Sequence, residues 1–285
     1  MWHSIGQYSN NGCNFTQEIR PYLCAVFLIL MSKLPSAYQF TDLSDYGRPI
    51  ARYLAVRWTN TAITPIYVTT LFILAGAIAI WSILNHWHWM AALFLIVKSI
   101  LDAADGELAR LQQRPSYTGR YYDSIADILL NFLFLSSFAF VSEQSIWYAL
   151  VAFIGLQLQG TLYNYYYVIL RNTVAGDATS RVFETSIPVA MQGEDQRMVT
   201  LLYRTYRVCY GVFDYLIYQC DKKAIDSPPL PKWFMTLVST FGLGFQLALM
   251  AILLLLGLEA VVLPFFIGYS FGILLFIAIR RLLLK

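Results

Sequence analysis

Six apolar runs, each about as long as a lipid bilayer is thick, set the terms on which this chain can fold. They lie at residues 62–84, 88–107, 121–141, 146–170, 233–257 and 260–280. At a rise of ~1.5 Å per residue, roughly 20 helical residues cross the ~30 Å hydrocarbon core. Lipid offers the backbone no hydrogen-bond partners, so such runs fold as helices that satisfy their own N–H and C=O groups. Composition agrees: 58% of the 285 residues are hydrophobic and 13% are charged, outside the range of soluble domains. The expected fold class is an all-α integral membrane protein with six transmembrane helices.

Orientation follows from the basic residues. Arg48, Arg52 and Arg57 precede the first run, and Arg110, Arg114 and Arg120 lie between the second and third. Arg171, Arg181, Arg197, Arg204, Arg207, Lys222 and Lys223 fall between the fourth and fifth, and Arg280, Arg281 and Lys285 end the chain. The alternate loops near 85–87, 142–145 and 258–260 hold no Lys or Arg. This positive-inside pattern puts both termini on the cytoplasmic side, in the plasma membrane if the source is prokaryotic. Tryptophans mark the same boundaries: Trp58 and Trp233 at inner ends, Trp81, Trp87, Trp89 and Trp147 at outer ends.

Two segments stand outside the six runs. Residues 1–60 are expected to form an N-terminal cytoplasmic and interfacial segment ahead of a six-helix membrane domain at 61–285. The first twelve residues lack the basic flank and apolar core of a signal peptide, and Tyr22–Met31 is too short to span. Thr41–Trp58 reads as an amphipathic helix lying in the interface. Within the membrane domain, residues 171–231 are expected to form a cytoplasmic helical insert between the fourth and fifth spans. Gly176–Asp177 and Gly193–Glu194 break it, and Pro228, Pro229 and Pro231 end it. Glu194–Cys220 is expected to be helical, with acidic residues at its start and Met198, Leu201, Leu202, Val208 and Val212 on the side that packs.

The chemistry concentrates between Leu101 and Asn131. Asp102 and Asp105 are three apart at the inner end of the second span, and Asp123 and Asp127 are four apart at the start of the third, so each pair shares a helix face. Two antiparallel helices joined by a short loop bring the four carboxylates together. Such groups repel one another unless cations intervene, and oxygen-only ligands suit hard ions such as Mg²⁺, Mn²⁺ or Ca²⁺. Mg²⁺ leaves positions open for phosphates, so two ions ~3.5–4 Å apart would suit a diphosphate substrate. Gly106 leaves backbone room for a ligand, and Ala109 keeps the Asp105 face narrow. Arg110, Arg114 and Arg120 are available to phosphate. Structural pairing of the aspartates with these arginines is the bland alternative.

The run Asp102-x2-Asp105-Gly106-x2-Ala109-Arg110-x8-Gly119-x3-Asp123-x3-Asp127 resembles the signature of the CDP-alcohol phosphotransferase (CDP-alcohol phosphatidyltransferase) family at every defined position. The wider resemblance covers about residues 40–285, leaving the first 40 and the 171–231 insert unaccounted for. It implies a transferase that moves a phosphoryl-alcohol group from a CDP-linked donor, such as CDP-diacylglycerol, to an acceptor alcohol with release of CMP in phospholipid biosynthesis. It also implies that Asp102, Asp105, Asp123 and Asp127 bind two Mg²⁺ or Mn²⁺ ions, that Asp127 deprotonates the acceptor, and that Gly106, Ala109, Arg110, Ser116 and Gly119 line the CDP site. The stretch Thr64-Pro65-Ile66-Tyr67-Val68-Thr69 resembles a second family feature with Ile66 where Asn is usual, and Thr69 is retained as a nucleotide-site residue. Membrane lipids are expected partners and nucleic acid is not. Family members are commonly homodimers, which these residues neither support nor oppose.

Other readings stay open at this point. A cation transporter would also use intramembrane carboxylates, but nearer the bilayer midplane and without adjacent arginines. Transfer of phosphocholine or phosphoethanolamine to a lipid alcohol, an Asp-rich prenyltransferase and a silent scaffold are further alternatives. Acceptors in question are inositol or its phosphate, glycerol phosphate, serine, choline or a lipid alcohol. Lys98, one turn before Asp102, either pairs with it or meets substrate. Glu107 is expected to be solvated. His86 and His88 lie at the outer end away from the aspartates, with His3 in the tail, and no metal site is expected from them. Cys13, Cys24, Cys209 and Cys220 read as buried, reduced thiols, and Tyr163 and Tyr165–Tyr167 as packing groups.

Overall fold

A computed structural model describes residues 34–174 and 186–283, in which every regular element is helical. Tyr22–Met31, His3, Cys13, Cys24, Arg181, Gly176–Asp177 and Lys285 lie outside the described residues. The helices are α1 (Arg48–Trp58), α2 (Pro65–Leu84), α3 (His88–Leu111), α4 (Tyr117–Val141), α5 (Ile146–Thr173), α6 (Gln196–Cys220), α7 (Lys232–Val238), α8 (Leu243–Leu255), α9 (Val262–Tyr269) and α10 (Gly272–Leu283). Short 3-10 turns at Leu43–Asp45, Ser239–Phe241 and Glu259–Val261 join some of them.

Among the described residues, α2, α4, α5 and the stretch Glu259–Leu282 are long and apolar enough to cross a membrane. The α7–α8 pair passes the same measure as a fifth, bent by 54° at its break. The remaining expected span, α3, has the length at 24 residues but carries Lys98, Asp102, Asp105, Glu107 and Arg110 from its middle to its C-terminal end. Its composition alone therefore does not mark it as a span.

Caps explain several helix starts. Thr64 precedes Pro65 at the head of α2, and the Ser116 hydroxyl accepts the Gly119 N–H at 2.8 Å to open α4. Asp195 does the same for α6 from the Arg197 N–H at 3.1 Å. The acidic residues thus sit ahead of α6 and none lies in its first turn. The turns after α2, α3 and α4 each place one residue in the left-handed region: His86 (φ 56°), Gln113 (φ 50°) and Glu143 (φ 53°).

The main core gathers Phe72 of α2, Leu95 of α3, Phe134 and Phe138 of α4, Leu156 of α5, Met250 of α8 and Phe266 of α9. Close approach of α2 to α4 depends on Gly76, where an added Cβ would lie 2.8 Å from the Leu130 methyls. Outward faces stay apolar, with Leu74, Trp81, Phe140, Trp147 and Leu274 exposed, as a lipid-facing surface requires. A second core, around Tyr166, Phe234, Phe241 and Ile277, joins α5, α7 and α10. Beside it, buried Asp221 receives Arg280 Nε at 2.7 Å and the Tyr166 hydroxyl at 2.8 Å, tying the end of α6 to α5 and α10.

Helix α1 packs Ala51 and Ala55, one turn apart, on Ala104 and Leu108 of α3. The expected amphipathic helix is therefore present from Arg48 onward, and residues 43–45 ahead of it form a separate 3-10 turn. That turn fills the break in the α7–α8 pair: the Leu43 N–H donates to Ser239 Oγ at 2.9 Å. Irregular backbone at this depth is tolerated because protein covers it. A Cβ added at Gly244 would stand 1.9 Å from the Ser44 carbonyl oxygen, a backbone atom that cannot swing aside. Gly244→Ala is expected to cost about 1–3 kcal/mol of stability. A lowered unfolding midpoint in detergent checks it, and an unchanged midpoint would refute the docking described.

Candidate active site

Helices α3 and α4 run antiparallel from the turn at 112–116, and each presents one polar stripe to the other. On α3 the stripe is Lys98, Asp102 and Asp105, and on α4 it is Asp123, Asp127 and Asn131, all at helical spacing. Ligand oxygens of Asp102, Asp123 and Asp127 lie within 4.8 Å of one another. Asp105 stands beside this group, its carboxylate held by the Thr69 hydroxyl of α2 at 2.7 Å. The fully buried Lys98 donates to Asp102 at 2.8 Å and also bonds Asp127, with its ammonium 4.6 Å from the centre of the Phe72 ring. Lys98 is thus a structural bridge between the two helices as well as the partner of Asp102.

This donor set fits a divalent metal. One lysine cannot balance four carboxylates at the edge of an apolar bundle. Asp123 Oδ1 is buried with no hydrogen-bond partner, an orphaned acceptor of the kind a cation satisfies. All donors are carboxylate oxygens, the chemistry that hard ions select.

Residues expected around the nucleotide are distributed as follows. A Cβ added at Gly106 would meet nothing nearer than the Arg110 guanidinium at 3.8 Å, so the backbone there is open. Arg110 is engaged with Glu107 at 2.9 Å. Ala109 is half-buried, Arg114 is exposed, and Arg120 lies over the Tyr121 ring. Ser116 and Gly119 form the cap of α4, and the Ser116 hydroxyl donates onward to Glu194 at 2.7 Å.

Glu107 is buried at 1% exposure, not solvated: Arg48 reaches it at 3.0 Å, Arg110 at 2.9 Å and Arg52 at 3.9 Å. The cluster fastens α1 to the C-terminal end of α3. Glu194, in turn, straps the insert across the start of α4, accepting from the Thr118 N–H at 2.8 Å and the Met191 N–H at 3.0 Å. Burial pushes its carboxyl up, but these bonds and that from Ser116 outweigh it and hold the value below the usual glutamate range. The strap is therefore at full strength above the ordinary value of about 4.3 and is lost as pH falls through the lower folded value. Glu194→Gln is expected to raise hydrogen exchange at the Thr118 and Met191 amides at neutral pH. In the wild-type protein the same loss of protection should come only in acid. Equal protection in both proteins at neutral pH would contradict the strap.

A cavity of about 410 Å³ opens beyond Asp102 and Asp127. Its wall is built from the turn at Leu43–Asp45 with Asp42 and Arg48, from Asn131 of α4, Gln157 and Tyr163 of α5, Tyr206, Tyr210 and Asp214 of α6, and Gly244 and Gln246 of α8. Helix α6 crosses α4, with the Tyr210 hydroxyl donating to the Ser124 carbonyl at 2.8 Å.

The family model for CDP-alcohol phosphatidyltransferase matches residues 62–208, just over half of the chain. The chain belongs to this family. A Thermococcus kodakarensis protein named bifunctional IPC transferase and DIPP synthase is 38% identical over 96 residues, 33% of this chain and 22% of that protein. An Archaeoglobus fulgidus protein of the same name is 39% identical over 66 residues, 23% of this chain and 14% of that one. The chain thus matches less than a quarter of the length of either relative. No solved structure matches it.

The part matched to the CDP-alcohol phosphatidyltransferase family contains all four aspartates but ends at residue 208 within α6. Asp214, Gln246 and the whole α7–α8 break lie beyond it, so part of the cavity wall is outside the family match. Sequence reasoning passed over Asn131, Gln157 and Gln246, although polar groups within apolar runs were a signal for them. Tyr163 and Tyr167 line the cavity, whereas Tyr165 and Tyr166 bond Asp221, so packing describes only half of that cluster. The side of α6 expected to pack is turned outward: Leu201 is 60% and Val208 79% exposed, while Val199, Tyr203 and Ile217 are buried. Cys220 is exposed and Cys209 half-buried, both as free thiols. At the other end of the bundle, His88 and His86 lie 3.4 Å and 3.7 Å from Glu259, so the three have the spacing of a metal-ligand group.

Proposed function

We propose that this protein transfers the phosphatidyl group of CDP-diacylglycerol to an acceptor alcohol, releasing CMP in a step of phospholipid synthesis. The observation that carries this reading is the convergence of Asp102, Asp123 and Asp127 within 4.8 Å, at the mouth of a cavity and beside the open backbone of Gly106. Asp102, Asp105, Asp123 and Asp127 would hold two Mg²⁺ or Mn²⁺ ions, which when bound offset the charge of the diphosphate and of departing CMP. Asp127 takes the proton of the acceptor hydroxyl. The acceptor oxygen forms a bond to the phosphorus that carries the diacylglycerol, and the bond from that phosphorus to the CMP oxygen breaks. Thr69 fixes Asp105, Lys98 fixes Asp102 and Asp127, and Gly106, Ala109, Arg110, Ser116 and Gly119 border the nucleotide.

The same reading sets the protein in the membrane with six spans, α3 being the sixth. Its hairpin connections to α2 and α4, both long apolar helices, support that assignment. The site and both termini then face the cytoplasm, where the basic residues concentrate. Purified protein given labelled CDP-diacylglycerol, an acceptor mixture and Mg²⁺ or Mn²⁺ should release CMP, and CDP-choline should not replace the donor. Silence with every donor would overturn the proposal.

A further inference from the structure

His86, His88 and Glu259 converge at the end of the bundle away from the aspartates. His88 opens α3, whereas Asp102 and Asp105 lie toward the other end of that helix. One ligand atom from each of the three lies within 4.8 Å of the others. His88 Nε2 is 3.4 Å from Glu259 Oε2, and His86 Nδ1 is 3.7 Å from Glu259 Oε1. Both distances exceed the ~2.7–3.2 Å of a hydrogen bond, so the groups face one another without bonding. They correspond instead to the spacing between ligands of a tetrahedral ion. Bonds of ~2.0–2.2 Å to imidazole nitrogen and carboxylate oxygen set neighbouring ligand atoms about 3.3–3.6 Å apart. A small turn of the His86 side chain, which is 58% exposed, closes the wider gap.

The Glu259 carboxylate is otherwise unsupported. Among the described residues no Lys or Arg pairs with it, and its Oε2 is buried without a hydrogen-bond partner. That oxygen is the one His88 Nε2 approaches, so an ion bonded to both completes it from within the cluster, not from solvent. Imidazole nitrogens with one carboxylate form a donor set for zinc-class ions, whereas the all-carboxylate group at the other end suits harder ones. Both ligand-bearing turns are held by the protein itself. The Trp87 N–H donates to the Ser82 carbonyl at 2.8 Å and the His86 N–H to the Ile83 carbonyl at 3.0 Å, closing α2 with His86 in the left-handed region. The turn carrying Glu259 is held by Gln144 Nε2, which donates to the Ala260 carbonyl at 2.8 Å.

We propose that His86, His88 and Glu259 bind one divalent ion of the zinc class, tying the α2–α3 turn to the turn ahead of α9. A fourth position on the exposed His86 side is open to water. The site is independent of the transferase reading. The test dialyses protein without a polyhistidine tag, its thiols alkylated and Mg²⁺ in excess, against radioactive Zn²⁺. Zn²⁺ is expected to be held in the wild type and in Asp123→Asn alike. His88→Gln and Glu259→Gln should each weaken its retention at least about tenfold, the scale of loss that even changes beside a metal ligand bring. Zn²⁺ should also raise the unfolding midpoint of the wild type by more than that of Glu259→Gln. Co²⁺ in its place should give the strong visible bands of a four-coordinate ion, a readout that needs no variant. No Zn²⁺ held by the wild type, equal retention in both ligand variants, loss in Asp123→Asn alone, or only the weak bands of six-coordinate Co²⁺ would overturn the proposal.

Discussion

Asp127→Asn is expected to lower CMP release at least about 10³-fold while the protein still folds. The substitution keeps the shape of the side chain and removes its charge. Asp127 belongs both to the carboxylate group and to the cavity wall, which is the position the proposed reaction asks of a residue that holds metal and takes the acceptor proton. Losing a positioned base alone removes about 10²–10⁴ in rate, and a weakened metal ligand adds to that. Extra Mn²⁺ should restore little, because an amide cannot take the acceptor proton. If the aspartates only pair helices together, the variant would lose stability and activity in proportion. Parallel measurement of unfolding midpoint and rate separates these outcomes, and a variant within tenfold of wild type would remove Asp127 from the chemistry.

Lys98→Met is expected to cause the largest loss of stability. The Lys98 side chain is fully buried and bonds carboxylates on two helices, α3 and α4. Removing one partner of a buried ion pair leaves uncompensated charge, which costs about 3–5 kcal/mol. The same removal takes a competing cation out of the carboxylate group. Mg²⁺ or Mn²⁺ should therefore raise the unfolding midpoint of Lys98→Met by more than that of the wild type. CMP release should fall as well, because Asp102 and Asp127 lose the group that fixes them. A midpoint unchanged by the substitution, or one insensitive to metal, would contradict the bridging role.

Much of this architecture is readable from local pattern. Carboxylate spacing and apolar run lengths act over a few residues, and the helices follow from them, while the capping roles of Thr64, Ser116 and Asp195 emerge with the structure. What is not readable depends on distance in the chain. Glu107 looks solvated beside its neighbours, and only the fold brings Arg48 to it from 59 residues away. Glu194 looks like the first acid of a helix but serves the start of α4. The outward turn of Leu201 and Val208 has a different cause. Apolar residues lie on both sides of α6, with Val199, Tyr203 and Ile217 buried and Leu201 and Val208 exposed, so hydrophobic periodicity alone does not say which side is inside. For Asn131 and Gln157 the polar signal is present, but that they border a cavity shows only once six segments of chain come together.

The central claim is that the aspartate group transfers a phosphatidyl unit to an alcohol under divalent-metal control. The most direct test is to quantify CMP and the new phosphodiester lipid in the same reaction, with metal, with EDTA, and with Mn²⁺ restored. The account predicts equal molar amounts of the two products, both lost in EDTA and both recovered with Mn²⁺. CMP formed without the lipid product, or either product persisting in EDTA, would contradict it.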